Sequence, residues 1–344
     1  MITYDRIDLG RRAKEMKFNR DMFEKVCRLA DVLSYFENDS LLSSALALKG
    51  GTAINLTMMN LPRLSVDIDL DFNKNISKEE MLEQRHIITD RLLKYMNSCG
   101  YAFSQKSKIY HALDSFVFEY VNSAGIRDNI KVEINYMDRC HIFECKRETI
   151  HSGFSENEIT VLRLNSIELI ASKIVALINR STPRDLFDVC NIVKTYNFSN
   201  NEKTMLRKSV VFYMAIASEK TPVEIPLSGI SAITQNKIKT ELLPVLRDNY
   251  FDASEAIKIC TDFLDDLLQL SKNEKLFLEE FGNKNYRPDL LFDDEDILNR
   301  IKHHPMALWK CPEKESVLAK LKKAKAEVKT QAPTAKDKKH NHEL

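Results

Sequence analysis

"LKGGTAINLTMMNLPRLSVDIDLDF", Leu48 to Phe72, decides how the fold is read. Its last segment, "VDIDLDF", alternates apolar and acidic residues with the period of two that belongs to a strand. Val66, Ile68, Leu70 and Phe72 then point to one side, and Asp67, Asp69 and Asp71 to the other. Carboxylates gathered on one face repel each other. A solvated strand face accounts for them; so does a divalent cation, because hard ions such as magnesium take carboxylate oxygens together with substrate phosphates. Upstream, Gly50-Gly51-Thr52 reads as a turn, since adjacent glycines allow backbone angles and close approaches that other residues resist. A glycine turn followed by Asp-x-Asp offers backbone donors for phosphate and carboxylates for a metal, the two parts that phosphoryl or nucleotidyl transfer needs.

Working outward, "SALALKGG" is a short strand that runs into this turn. From Asn19 to Phe36 the apolar residues Phe23, Val26, Cys27, Leu29, Ala30, Leu33 and Phe36 recur at helical spacing. "SKEEMLEQRHIITDRLLKYMNSCG" is a helix opened by a Ser77/Glu80 capping box and closed at Gly100. Three strand-like runs follow: "YAFSQKS", "DSFVFEYV" and "NIKVEINYMD". "NSIELIASKIVALINR", with Asn165 and Glu168 at its start, and "STPRDLFDVCNIVKTYNF", with Thr182 as cap and Pro183 in the first turn, form a helical hairpin. Beyond Phe198 the strand signals stop. The expected class is α+β: a small mixed sheet flanked by helices over residues 1–197, then a helical domain over 198–311. A lysine-rich tail over 312–344 is expected to be disordered.

The net charge of +1 over 344 residues argues neither for nor against nucleic acid, so any such partner must be met by a local patch. Short basic segments such as "RLLK" are scattered, and lysine-bearing helices usually face solvent. The seven cysteines include no CxxC pair, which fits structural thiols in a reducing cytoplasm. No run is apolar enough for a signal peptide or a bilayer span, and a cytoplasmic location is expected, with no membrane partner.

Other residues have both a bland and a functional reading. Glu133 in "IKVEINY" alternates with Ile130, Val132 and Ile134; it is a third carboxylate for the site or a strand glutamate paired with Lys131 or Arg139. Lys173 and Arg180, seven apart, share a helix face, which is commonly solvated. Asp185 and Asp188 lie one turn apart; Asp185 is placed to complete a cap with Thr182, whereas Asp188 has no such structural duty. Lys49, Arg63 and Ser65 flank the aspartate strand as phosphate contacts or ordinary surface and turn residues. His303 and His304 make a poor zinc pattern; a helix stop at Pro305 with packed aromatics, Trp309 included, suits them better.

Taken in order, "KGGTAINL", "RLSVDIDLDF", "IKVEINY", "ASKIVALINRSTPRDLFD" and "HHPMALWK" resemble the AbiEii-type nucleotidyltransferase toxins, a bacterial branch of the polymerase-beta-like superfamily, from about Ala45 to Lys310. The resemblance implies a magnesium (or manganese) enzyme that uses a nucleoside triphosphate. Gly50, Gly51 and Thr52 would surround the triphosphate, with Ser65 and Arg180 nearby, and Asp67 and Asp69 would hold the metal. Glu133 would supply the superfamily's third carboxylate. The strand pattern alone leaves open a register in which Asp69 and Asp71 are the ligands. Lys173 matches the family's motif lysine, expected to neutralise phosphate, and Asp188 or Asp185 its functional aspartate. The implied acceptor is RNA, with the transfer RNA 3′ end as one candidate, and the implied partner is a cognate antitoxin. A protein or small-molecule acceptor, and a non-catalytic interaction module, are the competing readings.

Overall fold

The computed structural model describes residues 4–248 and 250–312. The expectation of a disordered tail falls, from residue 313 on, outside the described residues. Two helices open the chain: α1 (Arg6–Glu15), capped by Asp5, and α2 (Arg20–Asn38), capped by Asn19. The apolar stripe anticipated on α2 is buried throughout, so periodicity and packing agree. A short helix, α3 (Ser40–Ala45), leads into strand β1 (Leu46–Lys49). Helix α4 (Gly50–Ala53) starts on the next residue and continues as a π-helical turn over Ile54–Met58. Strand β2 is Asp67–Phe72, the acidic segment itself.

Helix α5 (Lys78–Ser98) carries the expected Ser77/Glu80 capping box. Strands β3 (Ala102–Phe103), β4 (Lys108–Ile109), β5 (Leu113–Val121) and β6 (Arg127–Asn135) follow, then β7 (Lys146–Thr149) and β8 (Thr160–Arg163). Together they build one eight-stranded mixed sheet in the order β3-β5-β6-β2-β1-β8-β7, with β4 also paired to β5. This corrects the expected small sheet: β4, β7 and β8 were not foreseen. Strands this short carry too few alternations to stand out from loop, and the "KRET" of β7 is largely exposed. The acidic strand lies inside the sheet, antiparallel to β1 on one side and parallel to β6 on the other.

The hairpin of α6 (Ser166–Arg180) and α7 (Pro183–Thr195) forms as expected, with Thr182 as the α7 cap. The start of α6 differs. Asn165 caps it, but Glu168 does not complete a box: it is buried and accepts from the backbone N–H of Ile142 (2.8 Å) and Phe143 (3.3 Å) and from the Tyr213 hydroxyl. After α8 (Asn200–Ala217), which packs along α6, come α9 (Gln235–Lys237), α10 (Ala253–Leu267) against α7, α11 (Lys272–Gly282), α12 (Glu295–Ile301) and α13 (Pro305–Lys310). The helical region joins the sheet region in one continuous apolar cluster. It also steadies the loop before β2, where the Leu64 N–H donates to the Val245 carbonyl at 2.8 Å and Arg63 bridges to Leu246. No described helix is long and apolar enough to cross a membrane.

Candidate active site

The site begins where β1 turns into α4. Gly50 has φ +70°, in the left-handed region, and a Cβ there would collide with the Asp69 carboxylate. At Gly51 a Cβ would stand 2.7 Å from Arg63 Nη2, 3.1 Å from Ser65 Oγ and 3.7 Å from Lys173 Nζ. Both glycines are therefore required by close approach, one to an acid and the other to two cations. No side chain caps α4, in contrast to α2, α5 and α6, so the N–H groups of its first turn are left to other acceptors.

The three aspartates of β2 have different surroundings. Sheet register sets Lys49, Asp69 and Glu133 side by side on one face. Lys49 leans past Asp69 to reach Asp71 Oδ1 at 2.5 Å, with Asp138 Oδ2 at 3.8 Å. Asp71 is 2% exposed, so it does not belong to a solvated strand face. Burial, partly offset by Lys49, pushes its carboxyl up to about 7. Asp67 and Asp69 are half-buried and, among the described residues, neither forms an ion pair. Burial and then the neighbouring Asp67 raise the Asp69 carboxyl above its ordinary value. Glu133, beside Asp69, is bound by Lys131 at 2.9 Å. Among the described residues no three His, Cys, Asp or Glu side chains form a group able to hold a metal ion.

Facing the strand is a buried ionic cluster from α6 and α7. Lys173 Nζ lies 3.1 Å from Asp185 Oδ1 and 3.0 Å from Asp188 Oδ2. Arg63 grips Asp188 with Nε at 2.7 Å and Nη2 at 2.6 Å, and Arg180 grips Asp185 with Nε at 2.7 Å and Nη2 at 2.9 Å. Burial by itself would raise both carboxyls; the surrounding cations outweigh it and hold both below the ordinary aspartate range. Asp188 thus has a structural duty that the sequence did not reveal, as the buried counter-charge of Arg63 and Lys173. Three cations meet two carboxylates here, which leaves one unit of positive charge beside Gly51. The Arg180 side chain is 61% exposed and so open to a ligand.

Thr52 and Ser65 are buried and share a hydrogen bond of 2.9 Å, and the Thr52 hydroxyl also bonds the Asp67 carbonyl oxygen, fastening α4 to β2. Two residues near the cluster were overlooked in the sequence. Asn55, one turn after Gly51, donates to the Gly51 carbonyl at 2.9 Å and to Asp188 at 3.4 Å; a lone asparagine in an apolar helical run was its only signal. Arg184, whose Nε donates to the Glu241 carbonyl at 2.8 Å, lies in the fields of Arg63 and Asp67. At the C-terminal block His304 is fully buried against Phe212, but Trp309 is 69% exposed and does not pack as anticipated.

Residues 31–270 match the family described as nucleotidyl transferase AbiEii toxin, type IV toxin–antitoxin system. Among solved structures, MenT4, a nucleotidyltransferase toxin from Mycobacterium tuberculosis H37Rv, is similar with a TM-score of 0.60 and 14% identity, over 87% of this chain and 98% of that one. At that identity the likeness is one of fold. A comparison with curated proteins found no match. With a match over most of its length, the chain belongs to the AbiEii family of nucleotidyltransferase toxins, in the polymerase-beta-like superfamily.

Proposed function

We propose that this protein transfers a nucleoside monophosphate from a nucleoside triphosphate to a hydroxyl of an RNA acceptor, with the transfer RNA 3′ end as the first candidate, releasing pyrophosphate. The observation that carries the reading is the pairing of two carboxylates, Asp67 and Asp69, which have no ion-pair partners among the described residues, with the uncapped start of α4 at Gly50-Gly51.

The donor set suits a divalent cation. Burial and then the crowding of like charges with Asp67 raise the Asp69 carboxyl, and a cation relieves that cost. With no three-residue donor group among the described residues, the two aspartates would share magnesium or manganese with phosphate oxygens; Glu133, tied to Lys131, would act beside them. When bound, the ion would supply Lewis-acid stabilisation of charge on the phosphates.

The protein's own groups do the positioning. Backbone N–H groups of Gly51 and Thr52 are available to phosphate oxygens, while Ser65 and Thr52 fix the distance between that backbone and β2. Lys173 and Arg63 set a positive field behind Gly51, and the exposed guanidinium of Arg180, held by Asp185, keeps further N–H groups open to a phosphate. Asp185 and Asp188 hold these cations in place. From Asp69 the same sheet face continues through Glu133 and Ser115 to the exposed Lys108, a path for an extended acceptor. Membership of a toxin family supports a cognate antitoxin as partner and action inside a bacterial cell.

The test is a transfer assay with the full chain, magnesium, each of the four α-labelled nucleoside triphosphates and total bacterial RNA, with Asp69→Ala in parallel. Label on a discrete RNA with wild type alone supports the reading. Label only on a protein or small molecule removes RNA as acceptor, and transfer by Asp69→Ala removes the site assignment.

A further inference from the structure

Beyond Phe72 the acidic strand leads to a cavity, about four residues from Asp69 and so about 13 Å along an extended chain. It has a volume of about 340 Å³, within the range of small-ligand sites, and is lined by Asn73, Asn75, Arg139, His141, Glu144 and Arg300, with apolar residues between them. We propose that this cavity is an oxyanion site that takes a phosphate group. The inference does not depend on the transfer reaction proposed above.

Among the described residues the cavity's two guanidinium groups are met by a single carboxylate, Glu144. Arg139 gives Nη1 to the Tyr136 carbonyl at 3.0 Å, but its Nε is buried without a partner, and no described carboxylate lies within ion-pair distance. Arg300 donates Nε to the Ile142 carbonyl at 3.1 Å, and its acidic neighbour Glu144 stands 3.9 Å away on a side chain that is 86% exposed. His141 is 5% exposed with both ring nitrogens lacking hydrogen bonds; its Nδ1 comes no closer than 3.8 Å to Glu168, whose oxygens are already taken by Tyr213, Ile142 and Phe143. A neutral imidazole retains one N–H, and each guanidinium retains several. Two guanidinium groups against one exposed carboxylate, Glu144, leave positive charge in excess at the cavity. The unpartnered Arg139 Nε and His141 nitrogens are themselves closed off, so a phosphate in the cavity would be met by the remaining guanidinium N–H groups, through charge-assisted bonds. The side-chain amides of Asn73 and Asn75 add neutral donors suited to the same oxygens.

The phosphate could be free or part of a nucleic-acid backbone, and calorimetry on the full chain separates the two. In a phosphate-free buffer of low ionic strength, wild type is titrated with inorganic phosphate and, separately, with a short oligoribonucleotide bearing a 5′-hydroxyl. The expected result is saturable binding of inorganic phosphate, weakened about tenfold or more by Arg139→Gln and by Arg300→Gln, the loss of one charge-assisted contact, and unchanged by Arg180→Gln at the other site. Equal weakening of oligoribonucleotide binding identifies a backbone phosphodiester as the natural ligand; insensitivity there identifies a free phosphate. Arg300 is partly exposed, so its variant keeps the test open if Arg139→Gln fails to fold. Absence of phosphate binding, or binding that Arg180→Gln alone weakens, overturns the proposal.

Discussion

Lys49 faces Asp69 across the β1–β2 ladder yet forms its ion pair with Asp71, at 2.5 Å. The lysine thereby divides three chemically equal aspartates into two kinds. Asp71 becomes a buried structural acid, and Asp67 and Asp69 are left without an ion-pair partner among the described residues. The expected consequence is a contrast between neighbours. Asp69→Asn should abolish transfer while melting at or above the wild-type temperature, because it relieves repulsion with Asp67. Asp71→Asn should lower stability by about 1–3 kcal/mol through the loss of a buried charged partner. Denaturant titration beside the transfer assay checks both; a destabilised Asp69→Asn that still transfers would reverse the roles.

Asp188 is the sole described carboxylate in contact with Arg63 and one of two that hold Lys173. Asp188→Asn should cost about 3–5 kcal/mol, since it strands buried positive charge. Urea unfolding of the variant would measure this. A loss of transfer at full stability would instead mark Asp188 as a group acting only in the reaction.

Gly50 combines a positive φ with contact against the Asp69 carboxylate. Gly50→Ala should lose about 1–3 kcal/mol from backbone strain and displace Asp69, with transfer falling further than stability requires. Gly10, an equally small residue with open space around its would-be Cβ, gives the control: Gly10→Ala should leave activity unchanged. Comparable losses from both substitutions would contradict the close-approach argument.

His304 is buried beside Phe212 without hydrogen-bond partners, and burial lowers its pKa from the ordinary 6.5 to about 4. Between these values the unfolded chain binds a proton that the folded one does not, so this residue's contribution to stability is complete above pH 6.5 and is lost as pH falls toward 4. His304→Leu should remove that part of the acid sensitivity. Thermal melts of both proteins across this range would test it, and parallel curves would show that His304 is not the group responsible.

The sequence carried those parts of the site that rest on local rules. Alternation put Asp67, Asp69 and Asp71 on one face, paired glycines announced a backbone approach, and Thr182-Pro183 fixed where α7 begins. Ordered motifs were enough for the family. Short strands were less legible: β7 and β8 have four residues each, and their state is decided by the partner they meet. The duties of Asp188 and Glu168 were also hidden, because their partners, Arg63, Tyr213 and the backbone at Ile142, lie far away in the chain.

By itself, then, the sequence determined the period of each major element, its caps, and the residue types able to bind phosphate and metal, since these depend on neighbours within about one helical turn or a few strand positions. Only the tertiary structure decided which like residue does which work. Lys49 chooses Asp71, Arg63 and Lys173 enclose Asp188, and Arg139 and His141 are left with unmet donors, because charge pairing and desolvation depend on distance in space and not along the chain.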